Sequence, residues 1–457
     1  MVRKTIIPFV FAMLAMGGCR TYHKAAVASR ADFLGGTGLA AEERAESLYK
    51  SSKTMKLGAF EKGRMKMLKG DFEGSSKDFA PILEDLFDET AEGPVFRTSS
   101  IAGTALAATV GDDFSIPYDP PAFETVMALQ YEALNSLCLG KEDNARVYMR
   151  RATAIQTQLK DEKAPATEES KDQKNAQSIN KATSEINSHL DEVAALVTSP
   201  YENAVAWYLA GFLMECDGDA SNAAIAYREA ARICPGAARF ASAPAGDGTD
   251  VLVVYEESLI DMMEPIKIPL PLGGTLWSVD FPVYKSPARK PSSVAAEVGG
   301  ALAARLVPAV NVQALAYRSL KDKIPGIVTR NVTRAAVKVA AQQAANHIST
   351  GNSTANLLIR AAVLAFNATK TITDEADTRA WITIPEHVHF ARVRVPKTAG
   401  RIVLRNAAGG KTLEVEIPSD AGRKCIVWVS DTGRSSTVDA IAIPRSTAHR
   451  TVGATIL

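Results

Sequence analysis

The sequence is poor in several features that would place a protein in a class at once. Its 457 residues include five cysteines and 7% aromatic residues, and 52 basic side chains nearly balance 51 acidic ones. A net charge of +1 gives no electrostatic reason to expect nucleic-acid binding. A hydrophobic fraction of 46% excludes a largely disordered chain. The length corresponds to roughly three domains of ordinary size.

The motifs of common enzyme classes are absent as well. The sequence has no Gly-x-Ser-x-Gly elbow, no phosphate-binding loop, no dinucleotide fingerprint and no His-Glu-x-x-His pair. After the N-terminus, no uninterrupted apolar run reaches the about 20 residues that a membrane-spanning helix needs. The nearest run, 357–366, is interrupted by Arg360. The sequence therefore predicts no enzyme, no catalytic residue, no metal site and no cofactor.

The first nineteen residues resemble an export signal that ends in a lipid-attachment site. Arg3 and Lys4 precede a short apolar stretch up to Met16, and the small pair Gly17-Gly18 comes directly before Cys19. A basic start, a short apolar centre and small residues before a cut site are typical of a secretory signal peptide. A cysteine after such a small pair resembles the lipobox of bacterial lipoproteins, although Met16 stands where Leu is usual. We predict a signal peptide over 1–18 and lipidation of Cys19.

Cleavage before Cys19 changes the charge of the chain. Removing 18 residues and two basic side chains leaves 439 residues with 50 basic against 51 acidic side chains, a net charge of −1. Membrane attachment would then depend on the acyl chains, with residues 19–41 as a tether. Arg20 follows the cysteine, and the absence of Asp at that position resembles outer-membrane sorting. We predict a bacterial cell-envelope location, anchored in the outer membrane and facing the periplasm.

Export into an oxidising compartment raises the question of disulfides among the other four cysteines. Cys216 and Cys234 are separated by a predicted helix of about 14 residues, which corresponds to about 20 Å. That distance is far beyond the about 7 Å between Cα atoms that a disulfide tolerates. The sequence predicts unbridged, buried thiols.

The segment 42–240 has helical spacing of apolar residues and contains one strong repeat unit. Six residues fall at the relative spacings of a tetratricopeptide repeat (TPR): Trp207, Gly211, Ala223, Tyr227, Ala230 and Pro235. In such a unit small residues let two antiparallel helices approach, aromatic residues fill the wider gaps, and proline ends the second helix. We predict these six as repeat-packing residues.

Two weaker copies of this unit have the same relative spacing. One consists of Ala133, Gly140, Ala145, Met149 and Ala152, and the other of Gly63, Gly70, Ser75 and Phe79. Three copies favour a TPR-like helical domain over an irregular helical bundle. A further amphipathic helix over 179–197 is predicted to dock on the repeats and to fill their groove.

The remainder of the chain mixes helical and strand patterns. Residues 241–373 are predicted as a mixed region with strands at 251–255, 266–272 and 277–284, and helices at 294–306, 312–323, 327–348 and 355–366. Residues 374–457 have a period of two and are predicted as a small antiparallel β-sandwich or barrel-like module. Its six strands are expected at 380–384, 388–395, 402–405, 412–417, 425–429 and 437–443. The predicted fold class is a multidomain α+β protein.

Two groups of polar residues could form ligand sites, but core packing explains the first more simply and turn chemistry the second. His387 and His389 would share one face of a strand, as a metal site requires, but that face continues with Ala391 and Val393 like a core row. The aspartates 112, 113 and 119 could ligate a cation, although turn and capping chemistry is the simpler interpretation.

Two charged groups have similarly ordinary interpretations. The acidic residues 374, 375 and 377 resemble a catalytic cluster superficially, and an ion pair between Asp377 and Arg379 is the favoured use. Arg330, Arg334 and Lys338 form a basic stripe on one helix face. We interpret the stripe as a solvated face, with contact to an anionic partner as the alternative.

Several segments together resemble a known family. They are the run from Trp381 to Pro385 behind Arg379, the run from Val253 to Glu256, and the run from Asp280 to Tyr284. With the segment 135–152, these resemble a family of uncharacterised bacterial lipoproteins with a TPR-like N-terminal half. The resemblance implies no assigned reaction. Members of the family often accompany lipoproteins that activate peptidoglycan synthases, and the resemblance therefore also implies a role in the envelope.

The leading functional hypothesis is a lipid-anchored protein-protein interaction scaffold or adaptor of the cell envelope, with a connection to peptidoglycan or envelope assembly. Its partners would be envelope proteins and the membrane itself, with no nucleic acid. The alternative is an envelope enzyme or a glycan- or ligand-binding protein with a site between the helical and β halves. A third interpretation is a spacer that holds other components away from the membrane.

Overall fold

The computed structural model describes residues 18–35, 41–43, 45–46, 49–97, 113–162, 176–272, 275–347, 376–408, 410–419, 423–443 and 448–451. Its helices are α1 (Gly18–Leu34), α2 (Met55–Lys69), α3 (Phe72–Asp85), α4 (Ala122–Cys138), α5 (Glu142–Asp161), α6 (Ala176–Ser188), α7 (Asp191–Ala194), α8 (Ala204–Cys216), α9 (Ala220–Ile233) and α10 (Val312–His347). Its strands are β1 (Phe87–Thr90), β2 (Gly93–Phe96), β3 (Thr249–Glu257), β4 (Glu264–Leu272), β5 (Thr275–Val283), β6 (Val294–Val298), β7 (Ala301–Arg305), β8 (Val307–Asn311), β9 (His387–Val395), β10 (Arg401–Asn406), β11 (Lys411–Glu416), β12 (Lys424–Asp431), β13 (Ser436–Ile443) and β14 (Ala448–Thr451). The protein is a mixed α and β structure, and none of the described helices is long and apolar enough to cross a membrane.

Three helical hairpins follow one another in the N-terminal half. They are α2–α3, α4–α5 and α8–α9, and each packs against the next in chain order. Each hairpin turns at a glycine with a left-handed backbone, Gly70, Gly140 or Gly218, with φ of 82°, 72° and 79°. A side chain at these positions would be strained, which explains the recurrence of glycine. The predicted helical pairs are thus present at the predicted places.

The small residues of the first and third hairpins lie where two helices meet. A Cβ atom on Gly211 would lie 2.8 Å from the ring of Tyr227, and one on Gly63 would lie 2.7 Å from the ring of Phe79. Ala223 and Ala230 are buried in the third hairpin, and Trp207 packs half-buried against the core. Pro235 begins a short 3₁₀ helix, Pro235–Phe240, directly after α9.

Helices α6 and α7, which cover the amphipathic segment 179–197, pack mainly on α10. Helix α6 also contacts strand β4. The prediction that this segment fills the groove of the hairpins is therefore wrong. Its apolar face, which includes Ile186 and Leu190, is buried against the long helix instead.

The N-terminal helix is part of the folded body. Tyr22, Ala26 and Ser29 are 4%, 1% and 2% exposed, and their spacing of four and three places them on one helix face. The ring of Tyr22 lies 5.7 Å from that of Phe114, and Arg30 donates hydrogen bonds to the carbonyl oxygens of Leu259 and Ile260. The prediction of residues 19–41 as a tether is therefore wrong as far as Leu34, because this part has an apolar face that packs on the body.

The two larger sheets combine strands from both sides of residue 374. The order in one is β14-β13-β12-β3-β9-β8, and the order in the other is β11-β10-β6-β7. All neighbours are antiparallel except β3 and β12, which are parallel. The predicted separate C-terminal β module at 374–457 is wrong in this respect. Strand β3 is buried from Thr249 to Glu256 and needs a strand on each side, which only the distant segments β9 and β12 supply.

Individual elements differ from the predicted pattern in several places, including the unpredicted strands β1, β2, β8 and β14. Residues 294–306 form the hairpin β6–β7 rather than a helix, because Gly299 and Gly300 both adopt positive φ angles at its two-residue turn. Helix α10 continues through Pro325 instead of ending before it. Residues 380–384 form no strand. The predicted helix at 355–366 lies outside the described residues, whereas the other predicted strands are confirmed within a few residues.

A buried carboxylate joins the first two hairpins to the large sheet. Glu256 on β3 forms an ion pair with Arg64 on α2 and accepts hydrogen bonds from Tyr131 on α4, at 2.7 Å, and from Ser430 on β12, at 2.5 Å. The guanidinium carbon of Arg64 lies 4.1 Å from the ring centroid of Tyr131. Both charged side chains are almost fully buried, so each charge must be compensated by the other to offset the free-energy cost of its removal from water.

We expect Arg64→Leu to lower the free energy of unfolding by about 3–5 kcal/mol, because the substitution leaves Glu256 buried without its counter-charge. Chemical denaturation followed by circular dichroism would measure the change. Arg401→Ala is a suitable control, since the Arg401–Glu414 pair is about 60% exposed on both sides and should be worth less than about 1 kcal/mol. Equal effects of the two substitutions would contradict the structural role of the buried pair.

Candidate functional site

The inner face of the hairpins, formed by α2, α4 and α8, is the surface where a helical-repeat domain would hold a peptide. In the structure a segment of the same chain, residues 376–386, crosses α2 and α4 there. Trp381 of this segment is fully buried, and its ring lies 4.9 Å from Phe60, 5.9 Å from Phe79 and 5.8 Å from Tyr131. The chain therefore supplies an aromatic anchor to its own hairpins.

Two glutamates receive the backbone of this segment. Glu124 on α4 accepts a hydrogen bond from the backbone N–H of Trp381 at 3.1 Å, and Glu61 on α2 accepts one from that of Ile382 at 2.7 Å. The second oxygen of Glu61 accepts the hydroxyl proton of Thr383 at 2.6 Å. These N–H groups have no partner strand, so the carboxylates satisfy hydrogen bonds that a sheet would otherwise provide. This arrangement explains why residues 380–384 form no strand.

Burial changes the acidity of both glutamates. Desolvation raises the pKa of Glu61 to about 8, against the hydrogen bonds from Thr383 and Ile382 that lower it. Desolvation likewise raises the pKa of Glu124 to about 7, although hydrogen bonds from Tyr118 and Trp381 favour its ionised form. The segment is thus held by two carboxyl groups whose charge is costly in the folded protein.

Arg379 secures the beginning of the same segment. Its guanidinium group pairs with Asp377 at 2.6 Å and donates to the carbonyl oxygens of Lys53, at 2.8 Å, and Ile116, at 2.9 Å. It also lies 4.6 Å from the ring centroid of Phe114. The predicted ion pair between Asp377 and Arg379 is confirmed, whereas residues 374 and 375 lie outside the described part of the chain.

A second polar cluster joins the third hairpin to the sheet. Arg392 on β9 pairs with Asp250 on β3 and with Glu215 on α8, the latter at 2.9 Å. Tyr227 donates to Glu215 at 2.6 Å, and Lys424 lies 3.2 Å from the same carboxylate. Burial alone would raise the pKa of Glu215, but the hydrogen bonds from Arg392 and Tyr227 outweigh it and hold the value at about 2. Tyr227 thus has a polar role in addition to its packing role.

These contacts fill the space between the helices and the large sheet. Trp381 and Trp428 both contact Tyr131, and Tyr208 of α8 lies 4.4 Å from Phe390 of β9, centroid to centroid. Within the described residues, the region where the alternative hypothesis places a ligand site is therefore occupied by side chains.

His387 and His389 are both buried on β9, in agreement with a core-facing row. The Nε2 atom of His389 lies 2.8 Å from Glu257, and Ser292 donates to that same carboxylate through its backbone N–H and its hydroxyl. The carboxylate lies between serine and histidine, so the histidine is not placed to activate the serine as a base. Burial lowers the pKa of His387 to about 4, which keeps that ring neutral. No group of three potential ligands for a metal ion exists among the described residues.

Asp113 and the arginines of the basic stripe bind each other inside the protein. Asp113 accepts hydrogen bonds from Arg334 at 2.6 Å and from Arg330 at 3.4 Å, so these arginines of the basic stripe face a carboxylate of the same chain. The interpretation of the stripe as a fully solvated face is wrong for Arg334, which is 6% exposed. Asp119 is exposed, whereas Asp112 and the side chain of Lys338 lie outside the described part. Cys138, Cys216, Cys234 and Cys425 are unbridged thiols, as predicted, but only Cys138 and Cys425 are buried, whereas Cys216 and Cys234 are partly exposed.

We expect Glu61→Gln to stabilise the protein increasingly as pH rises. A carboxyl group whose folded pKa is raised to about 8 loses stabilising free energy between its ordinary pKa of 4.5 and 8. The amide does not titrate, so the difference in unfolding free energy between variant and wild type should grow by up to about 1.4 kcal/mol per pH unit in that window. Denaturant titrations at several pH values would measure this difference. The titration of His387 contributes equally to both proteins and therefore cancels in the difference. Glu215→Gln, which removes a carboxylate whose pKa is held at about 2, should show no such trend between pH 4.5 and 8. A flat difference for Glu61→Gln would contradict the assignment.

The arrangement is suited to hold an extended peptide. On the inner face of the hairpins, aromatic rings contact a tryptophan and carboxyl groups accept backbone N–H groups, and carbonyl oxygens of the adjoining loops accept hydrogen bonds from an arginine. Its occupant in this structure is the chain's own segment 376–386. Comparison of the chain with protein-family models, with curated proteins and with solved structures finds no match.

Proposed function

We propose that this protein is a lipid-anchored interaction scaffold of the bacterial cell envelope, with TPR-like helical hairpins as its partner-binding part. The export signal and Cys19 support an envelope location, and Arg20 supports anchoring in the outer membrane on the periplasmic side. The observation that carries the scaffold role is the stack of three hairpins fixed to a sheet by the buried ion pair of Arg64 with Glu256 and the partly buried pair of Arg392 with Glu215. A rigid stack of this kind presents a large surface of constant shape.

The outer helices are the surface on which we place the partner. The inner face is occupied by the chain itself, whereas Val147 on α5 is 38% exposed and Ile225 on α9 is 46% exposed. Arg146 on α5 pairs with Asp217 in the turn of the next hairpin, and Lys160 pairs with Glu229 of α9 at 3.4 Å. These pairs make α5 and α9 one continuous surface. Its partner would be an envelope protein, and the resemblance to lipoproteins near peptidoglycan-synthase activators supports a connection with envelope assembly.

The anchor is tested by Cys19→Ala. We expect this variant to incorporate no labelled palmitate and to move from the membrane fraction to the soluble fraction, because the acyl chains are the predicted attachment. Cys234→Ala, which removes a half-buried thiol, should keep both the label and the membrane location. Continued membrane retention of Cys19→Ala would contradict the anchor.

The scaffold role is tested by photo-crosslinking in intact cells. A photoreactive amino acid at Val147 or at Ile225 should give one adduct of the same mass, because both positions lie on the surface assigned to the partner. The matched control is Leu302, which is 55% exposed and lies on β7, at the edge of the four-stranded sheet and away from the outer helices in sequence. No adduct at Val147 and Ile225, or the same adduct at Leu302, would contradict the assigned surface.

A further inference from the structure

Helix α1 begins at the residue before the predicted lipid-attachment site and is fixed to the body at both ends. Tyr22 packs between Tyr49 and Phe114, with ring centroids 6.5 and 5.7 Å away, and Arg30 is bonded to carbonyl oxygens of the loop after β3. Desolvation lowers the pKa of Arg30, as expected for a guanidinium group enclosed by protein. The helix is therefore a rigid part of the protein.

This rigidity limits the distance between the body and a membrane. Cys19 precedes the buried Tyr22 by three residues, which corresponds to about 4.5 Å along a helix axis. Acyl chains on Cys19 would be inserted in the bilayer from their first carbons, so the ordered protein would begin within about one helical turn of the headgroups. A lipoprotein with a flexible tether would not be held in this way.

The surface beside the first turns of α1 is basic. The segment from Tyr49 to Phe60 packs against α1 through Tyr49, and it contains Lys50, Lys53 and Lys56 but no acidic residue. Lys24 on α1 is exposed, and no acidic residue occurs between Gly18 and Ala31. Met55, which is 55% exposed, adds an apolar side chain to this surface. Two acidic residues, Glu46 and Asp78, line a pocket together with Met55, and Lys62 and Lys77 of the same pocket balance their charge.

A basic surface next to the lipid site contrasts with the charge of the whole mature chain, which is slightly negative. Lysines close to a bilayer are attracted by anionic headgroups, and an acyl anchor combined with basic residues binds membranes more strongly than the acyl anchor alone.

We propose that the body rests directly on an anionic phospholipid bilayer, with α1 and the segment from Tyr49 to Lys56 facing the headgroups. The proposal rests on the proposed function, because it requires lipid on Cys19. It gives the scaffold one orientation, in which the first hairpin is next to the membrane and the third, with Ile225, is at the far end of the stack.

The test uses the full lipidated protein, purified from membranes and reconstituted in vesicles of phosphatidylethanolamine and phosphatidylglycerol that contain a headgroup-attached quencher. A fluorescent amino acid is placed at Val27, at Met55 or at Ile225, which are 45%, 55% and 46% exposed. Quenching at Val27 and Met55 should be several-fold stronger than at Ile225. A flexible Gly-Ser insertion between Arg20 and Thr21 should reduce the signal at Met55 to that at Ile225 while palmitate labelling persists.

The outcomes separate the two proposals. Equally weak quenching at all three positions in acyl-labelled protein would overturn direct contact and leave the lipid-anchored scaffold intact. Absence of the acyl label on the wild-type protein would overturn the anchor itself. In vesicles of phosphatidylcholine alone the signal at Met55 should fall, and unchanged quenching there would overturn the role of the lysines.

Discussion

The structure depends on a charged group placed near the end of a buried strand. Glu256 of β3 is 1% exposed, and its desolvation is offset by Arg64, Tyr131 and Ser430, which come from three other elements. These partners fix where the first two hairpins lie on the sheet, because any slip would leave a buried charge without its counter-charge. Arg392 has the same effect on the third hairpin through Asp250 and Glu215.

The helical half and the sheet consequently form one continuous core. The inner helices of a hairpin stack can hold a foreign peptide only if their own chain leaves the surface open. Here Trp381 and the backbone at Ile382 take the positions that a bound peptide would take. The outer helices are the surface that our proposal assigns to a partner, and ion pairs such as that of Arg146 with Asp217 connect one hairpin to the next there.

The sequence predicted those parts of the structure that depend on local spacing. Gly211 and Tyr227 indicated a close helical pair, and the turn glycines indicated where each hairpin reverses. The alternating pattern after residue 387 likewise predicted strands correctly. These features are local because the residues that contact each other lie within one hairpin or along one strand.

Features that depend on distant partners could not be predicted. Arg64 and Glu256 are 192 positions apart, and nothing in the surroundings of either residue identifies the other. The contacts of Glu61 and Glu124 with residues 381–383 are equally absent from any local pattern. A carboxylate within the apolar helix α4 nevertheless indicates that a buried polar contact exists. The mixing of early and late strands in one sheet follows from the need of β3 for two neighbours, and the pattern of β3 itself does not say which segments these are.

The parallel pairing of β3 with β12 has a consequence for how the chain is made. A chain synthesised from its N-terminus completes the three hairpins long before residues 424–431 exist, so their inner faces have no sheet to cover them during that interval. The large sheet gains its central parallel neighbour only when nearly the whole polypeptide is available. Apolar surface on the hairpins therefore stays uncovered for longer than in a protein built only from contacts between neighbouring segments.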